Sequence, residues 1–289
     1  MLLLKKENPI GKINRKKWAM PKDIEKQNID SMNNLEMSEK VRPLFEKVVK
    51  HIINNVDPIS EEFYSIADSN KNRWSFTDRQ LELLEGAKNK AKKSGLWNFF
   101  LPDAETGEGL TNLDYAYIAA ELGKNPLASE TLNCSAPDTG NMEVLERVGT
   151  LEQKEKWLKP LLSGEIRSCY GMTEPGVASS DAKNISTSAK LVRNNWIING
   201  EKYYISGAGD PRCKIMICMV KTNPDAEPFK QQSQILIPLN TPGVNILEPM
   251  TVFGKDEAPK GHMHIKLENV KVPKSNVLLG EGRGFEISQ

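Results

Sequence analysis

The hydrophobic period of this chain changes once, near residue 166, and that change constrains the fold more than any other feature. Upstream, apolar residues recur at helical spacing. In "EMSEKVRPLFEKVVKHIINNV", Val41, Leu44, Phe45, Val48, Val49 and Ile52 fall on one stripe. In "TDRQLELLEGAKNKAKKSG", Leu81, Leu84, Ala87 and Ala91 share a face and Gly95 is a stop. "LTNLDYAYIAAELGK" starts at a Thr111 or Asn112 N-cap and ends at Gly123. "TLEQKEKWLKPLL" opens with Thr150 and Gln153 at capping-box spacing, just after Gly149 closes the helix before it.

Downstream the runs are short and rich in Ile, Val, Thr and aromatics: "ISTSAKLV", "NWIINGEKYYISGA", "KIMICMVK", "SQILIPLN", "GVNILEPM" and "GHMHIKLENVKV". Gly, Pro, Asn and Asp separate them, the pattern of strands and turns. Asn199-Gly200 in "INGEKYYI" reads as a hairpin turn. This many strands in so short a stretch predicts an antiparallel β-barrel or sandwich. The fold class expected is therefore multidomain α+β. A basic tail or targeting segment (1–35) precedes a helical domain (36–166) and a middle β domain (167–277). Residues 278–289 read as the start of a further helical domain whose remainder is missing, so the chain is expected to be truncated.

Composition narrows the function classes. The chain has 289 residues, 38% apolar and 27% charged, with a net charge of +1. That balance gives no strong field toward nucleic acid or membrane, and no apolar run approaches the roughly 18 residues of a membrane span. The four cysteines, at 134, 169, 213 and 218, form no CxxC pair, which argues against a zinc site or a disulfide scaffold. The N-terminal "MLLLKKENPIGKINRKKWAM" is too short in its apolar part for a secretory signal. It reads either as a mitochondrial presequence or as a solvated basic tail.

"YGMTEPGVASSD", Tyr170 to Asp181, sits where the two patterns meet. Thr173 and Ser180 supply short hydroxyls, Pro175 fixes a bend, and Gly176 and Ala178 admit a ligand close to the backbone. Asp181 is placed to cap local N–H groups. A crevice between domains is a favoured ligand site, although a plain solvent loop has the same composition.

Together with "WIINGEKYYISGAGD" and "VPKSNVLLGEGRGFEI", this string resembles the signature of the acyl-CoA dehydrogenase family over roughly residues 40 to 289. "NPLASETLNCSAPDTGNMEVL", "DPRCK" and "TVFGKDEAPKGHMHI" resemble the subgroup of long-chain and 4-hydroxyacyl-CoA dehydrogenases, some of them fused to a phosphotransferase-like domain. The resemblance implies FAD as cofactor and a fatty acyl-CoA thioester desaturated between its α and β carbons. It implies that Tyr170, Met172 and Thr173 line the flavin ring. It places Ser180 beside the pyrophosphate and the incoming CoA chain, and counts Ser179 among the cofactor-binding residues. Tyr204, Ile205 and Ser206 form the second wall, the aromatic packing on the ring and the hydroxyl meeting N5 or O4. The family's usual Trp and Thr are Tyr204 and Ser206 here, and Ser is freer at χ1 than Thr. One residue more than in the commoner form lies between Gly176 and the Ser180-Asp181 pair, as in the subgroup.

The family's catalytic base belongs to the C-terminal helical domain, so no catalytic residue is assigned here. Glu174 is the nearest carboxylate, but in the family it belongs to the loop's structure. The resemblance further implies an electron-transfer flavoprotein or oxygen as acceptor, a homodimer or homotetramer, and a mitochondrial, peroxisomal or cytoplasmic location. A non-catalytic relative that binds flavin or acyl-CoA is the alternative. His262 and His264 in "HMH" lack a third metal ligand. "GEGRG" reads as a turn, because no βαβ unit precedes it. Trp97, Phe99 and Phe100 read as core, Cys169 and Cys213 as buried apolar groups, and Asp210 and Arg212 as a local pair.

Overall fold

The computed structural model describes residues 35–103 and 106–289, so the basic segment at residues 1–34 lies outside the described residues. The helical half begins with α1 (Arg42–His51), which runs through a π-helical turn (Ile52–Val56) into α2 (Asp57–Ser69). Then come α3 (Asp78–Lys93), α4 (Asn112–Leu122), α5 (Ala128–Thr131) and α6 (Asp138–Val148). Helix α7 (Leu151–Gln153) continues through a second π-helical turn (Lys154–Leu158) into α8 (Lys159–Ser163).

The caps are where local chemistry puts them. Thr77, Thr111 and Thr150 each accept from the backbone N–H three residues on, and Thr77 and Thr150 complete capping boxes with Gln80 and Gln153. Gly95 takes φ +69° just past α3, a conformation that penalises any side chain. The helical stripe closes over one core in which Val41, Val48 and Ile52 meet Leu84, Ala91, Phe99, Ile118 and Leu122.

The second half is a seven-stranded sheet: β1 (Arg167–Gly171), β2 (Ser188–Val192), β3 (Asn195–Ser206), β4 (Cys213–Lys221), β5 (Gln232–Pro238), β6 (Val244–Met250) and β7 (His262–Pro273). It is one curled sheet and it is mixed. β1 lies parallel to β4, and β2 joins the end of β4 in parallel at Ser188–Lys221, while the other pairings are antiparallel. The run "KIMICMV" explains the departure from a purely antiparallel reading. Met216, Cys218 and Val220 pack into the sheet's own core with Trp196 and Ile198. Ile215 and Ile217 turn the other way, onto Met142 and Leu145 of α6. A strand covered on both faces needs a continuous apolar run rather than an alternating one.

The expected hairpin turn at Asn199-Gly200 is not a turn. β3 runs straight through it, and the two-residue connection lies earlier, at Arg193-Asn194 between the paired Val192 and Asn195. Asn199 and Gly200 instead mark a bulge, where the register of β3 against β7 slips. The Asn199 side chain accepts from the Asn269 backbone at 2.8 Å. A Cβ on Gly200 would lie 2.5 Å from Thr187 Oγ1. Glycine is required there by close approach, not by a reversal of the chain. The last residues form a turn with positive φ at Gly280 and Gly282 and a short helix, α9 (Gly284–Ile287), against β5.

Candidate functional site

The segment after β1 is tied down from inside. Lys202 on β3 is fully buried, and its Nζ donates to Glu174 Oε1 at 2.8 Å, to Met172 O at 3.1 Å and to Met219 O at 2.7 Å. Glu174 also accepts from the backbone N–H groups of Ser186 and Thr187, at 2.7 and 3.0 Å. Burial opposes the charge on this carboxylate, but the Lys202 ammonium and the hydroxyl and amide donors outweigh it and hold the pKa down at about 2. Glu174 is therefore a structural anion whose oxygens are all engaged.

The same ties bring the two motifs together. The Tyr203 backbone donates to Thr173 O at 2.8 Å, so the tip of the first motif lies against β3. The strand is bulged between Lys202 and Ile205, and Tyr204 sits at φ +55°. A left-handed aromatic residue costs roughly 1–2 kcal/mol, so the surrounding structure must enforce it. Its consequence is that the Tyr204 ring is 40% exposed, edge-to-face with Tyr203 at 4.7 Å. Ser206 lies at the end of β3 with its Oγ 2.8 Å from His262 Nδ1.

The site residues divide into three groups. Thr173, Ser180 and Tyr204 are exposed and Ser206 is half-buried; the Thr173 and Ser180 hydroxyls have no partner among the described residues. Tyr170 and Met172 line a cleft of about 650 Å³ with Pro137, Val144 and Val148 of the helical half and Ile287 of α9. Ser179 and Ile205 present no side chain to a ligand. Ser179 is buried with its hydroxyl accepting from the Glu174 backbone at 2.8 Å, and Ile205 is part of the sheet core. Their side chains build the walls' backing.

The two histidines of "HMH" part company. His264 is held between Glu248 and Glu201, at 2.9 and 3.2 Å. The Glu248 contact raises its pKa first of all, against some burial, and Glu201 adds to it. Among the described residues no three His, Cys, Asp or Glu side chains cluster as metal ligands.

A charged cluster at the domain joint escaped the sequence reading. Glu130 on α5 is wholly buried and faces Arg212 at 2.6 Å, Lys260 at 2.8 Å, Lys88 at 3.3 Å and Arg167 at 3.6 Å. Burial alone would raise its pKa, but Lys260, Arg167, Arg212 and Lys88 together hold it well below the carboxylate range. Arg212 does pair with Asp210, at 2.7 Å, yet its second partner is 82 residues away. No local spacing signals such a cluster; "DPR" was its one visible corner.

Residues 34–165 match the N-terminal domain of acyl-CoA dehydrogenases and residues 169–270 the middle domain. The chain belongs to the acyl-CoA dehydrogenase family, of which it carries these two domains. It is 48% identical over 258 residues to acyl-CoA dehydrogenase family member 10 of Mus musculus, a match covering 88% of this chain and 24% of that protein. A structure of a putative acyl-CoA dehydrogenase from Mycobacterium abscessus superposes with a TM-score of 0.81 at 41% identity, over 88% of this chain and 63% of that one. An acyl-CoA dehydrogenase from Bacillus anthracis complexed with FAD shares the fold, with a TM-score of 0.65 at 23% identity, over 88% of this chain and 40% of that one. The chain thus spans about a quarter of the curated mouse relative's length.

Proposed function

We propose that this chain supplies the flavin- and thioester-binding face of an FAD-dependent dehydrogenase acting on fatty acyl-CoA in β-oxidation. The observation that carries the reading is the Lys202–Glu174 anchor, which sets Met172 and Thr173 beside the Tyr203-Tyr204 edge of β3. The residues fit a flat ring with one polar edge. A partly exposed aromatic face at Tyr204, a thioether at Met172 and the unengaged Thr173 hydroxyl offer both kinds of surface.

FAD held between these two walls would supply the hydride acceptor for oxidation of the thioester. Tyr204 would pack on the ring, and Thr173 and Ser206 would meet its polar edge with hydroxyls. Ser180 would lie by the pyrophosphate and the CoA chain. The cleft beside Tyr170 and Met172 has the size of a small-molecule pocket, and Pro137, Val144, Val148 and Ile287 give it an apolar side against which an acyl chain would lie. Glu174 takes no part as a base, because its charge is spent on Lys202 and the loop. The reading extends to an electron-transfer flavoprotein or oxygen as acceptor, to a homo-oligomeric assembly and to a mitochondrial location.

The test is a visible spectrum of the full chain with added FAD, before and after anaerobic addition of an intermediate-length acyl-CoA. A bound yellow band that bleaches supports the dehydrogenase. A bound band that persists favours the non-catalytic binding module. No bound band overturns the flavin reading.

A further inference from the structure

His262 is the one partner of the Ser206 hydroxyl among the described residues, at 2.8 Å through Nδ1. The other ring nitrogen, Nε2, faces Glu257 Oε2 at 3.9 Å from the loop before β7. The Tyr204 ring lies 6.1 Å from the imidazole on the β3 side, and Met250 of β6 is its cross-strand partner. The nearest other charges are already engaged. Lys260 is held by Glu130, and His264 by Glu201 and Glu248. The imidazole is about a quarter exposed, so a proton reaches it from solvent.

A serine hydroxyl has one hydrogen, and a neighbouring imidazole decides where it points. Neutral His262 is taken with its hydrogen on Nε2, the nitrogen that faces the Glu257 side. Nδ1 is then bare and accepts from Ser206, whose oxygen turns only lone pairs outward. With His262 protonated, Nδ1–H donates to Ser206 Oγ and the hydroxyl hydrogen is released outward. One proton on His262 converts Ser206 from an acceptor to a donor.

We propose that His262 is a positioning residue that sets, through its own proton, whether Ser206 offers its ligand an acceptor or a donor, and thereby biases the site between oxidised and reduced flavin. This rests on the flavin reading above. An oxidised ring presents a bare nitrogen at its reactive position and wants a donor; a reduced ring presents N–H there and wants an acceptor. Protonated His262 therefore favours the oxidised ligand and neutral His262 the reduced one. No bond is made or broken in the protein; a proton is exchanged with solvent.

The test is equilibrium binding of oxidised FAD and of dithionite-reduced FAD to the full chain at stepped pH between about 5.5 and 8. The ratio of the two affinities in the wild type is divided by that in His262→Gln, which removes the free flavin's own pH dependence. This quotient is expected to change about tenfold across the range, a usual size for coupled sites. Ser206→Ala should abolish the change and Ser206→Thr retain it, while His264→Gln leaves it in place. A purely structural His262 would shift both affinities alike at every pH. If both forms of FAD bind and the quotient stays flat, the coupling is wrong while the flavin reading stands. If neither form binds, both fall.

Discussion

Lys202 and Glu174 illustrate how much one residue pair decides here. Both are buried, and each is the other's counter-ion. Removing one partner leaves an uncompensated buried charge, so Lys202→Met should cost about 3–5 kcal/mol in urea unfolding. The pair also gives stability a defined pH dependence. The Glu174 pKa is depressed in the folded state, so its contribution is complete above the unfolded value near 4.5 and is lost as pH falls toward about 2. The loss is about 3 kcal/mol. Glu174→Gln should be less stable at neutral pH and show a flatter decline below pH 4.5, read by chemical denaturation at stepped pH. The sequence displayed "TEP" and "NGEK" separately, and only the folded chain joins them, because the pair spans 28 residues and two elements.

At the scale of elements, what was legible was what is local. The Thr150–Gln153 box could be read from four residues because both of its bonds close within one turn, at 3.0 and 3.2 Å. Thr150→Ala should cost about 1 kcal/mol, measured by thermal or urea unfolding. The Asn199-Gly200 pair misled for the opposite reason. Whether such a dipeptide turns or bulges depends on Thr187 and Asn269, which lie outside any local window. Gly200→Ala should destabilise by about 1–3 kcal/mol through overpacking against Thr187. A mere turn position would give a much smaller effect. The left-handed backbone at Tyr204 had no sequence signal either, since a bulge is set by the partner strand.

For the molecule as a whole, the order of helical half and β half was plain from the change of period. The joint between them was not. Lys88, Arg167, Arg212 and Lys260 come from four separate segments and converge on Glu130. Four cations on one buried carboxylate make it the place where the halves are most sensitive. Glu130→Gln is expected to cost about 3–5 kcal/mol. It should also split the denaturation curve, with the backbone and aromatic-packing transitions no longer coincident by far-ultraviolet and near-ultraviolet circular dichroism.

One detail of the sheet bears on how such a protein changes over time. β5 occupies one edge of β4, so β1 and β2 lie end to end along the other, and residues 172–187 leave that edge and return to it. The ligand loop is therefore a detour whose two ends are fixed by the same neighbour. A residue gained in it, as between Gly176 and Ser180, lengthens the detour and leaves the register of every strand intact. Lineages built on this frame can vary the aperture while keeping the strand register, as long as the Glu174 anchor inside the loop keeps its bonds to Lys202, Ser186 and Thr187.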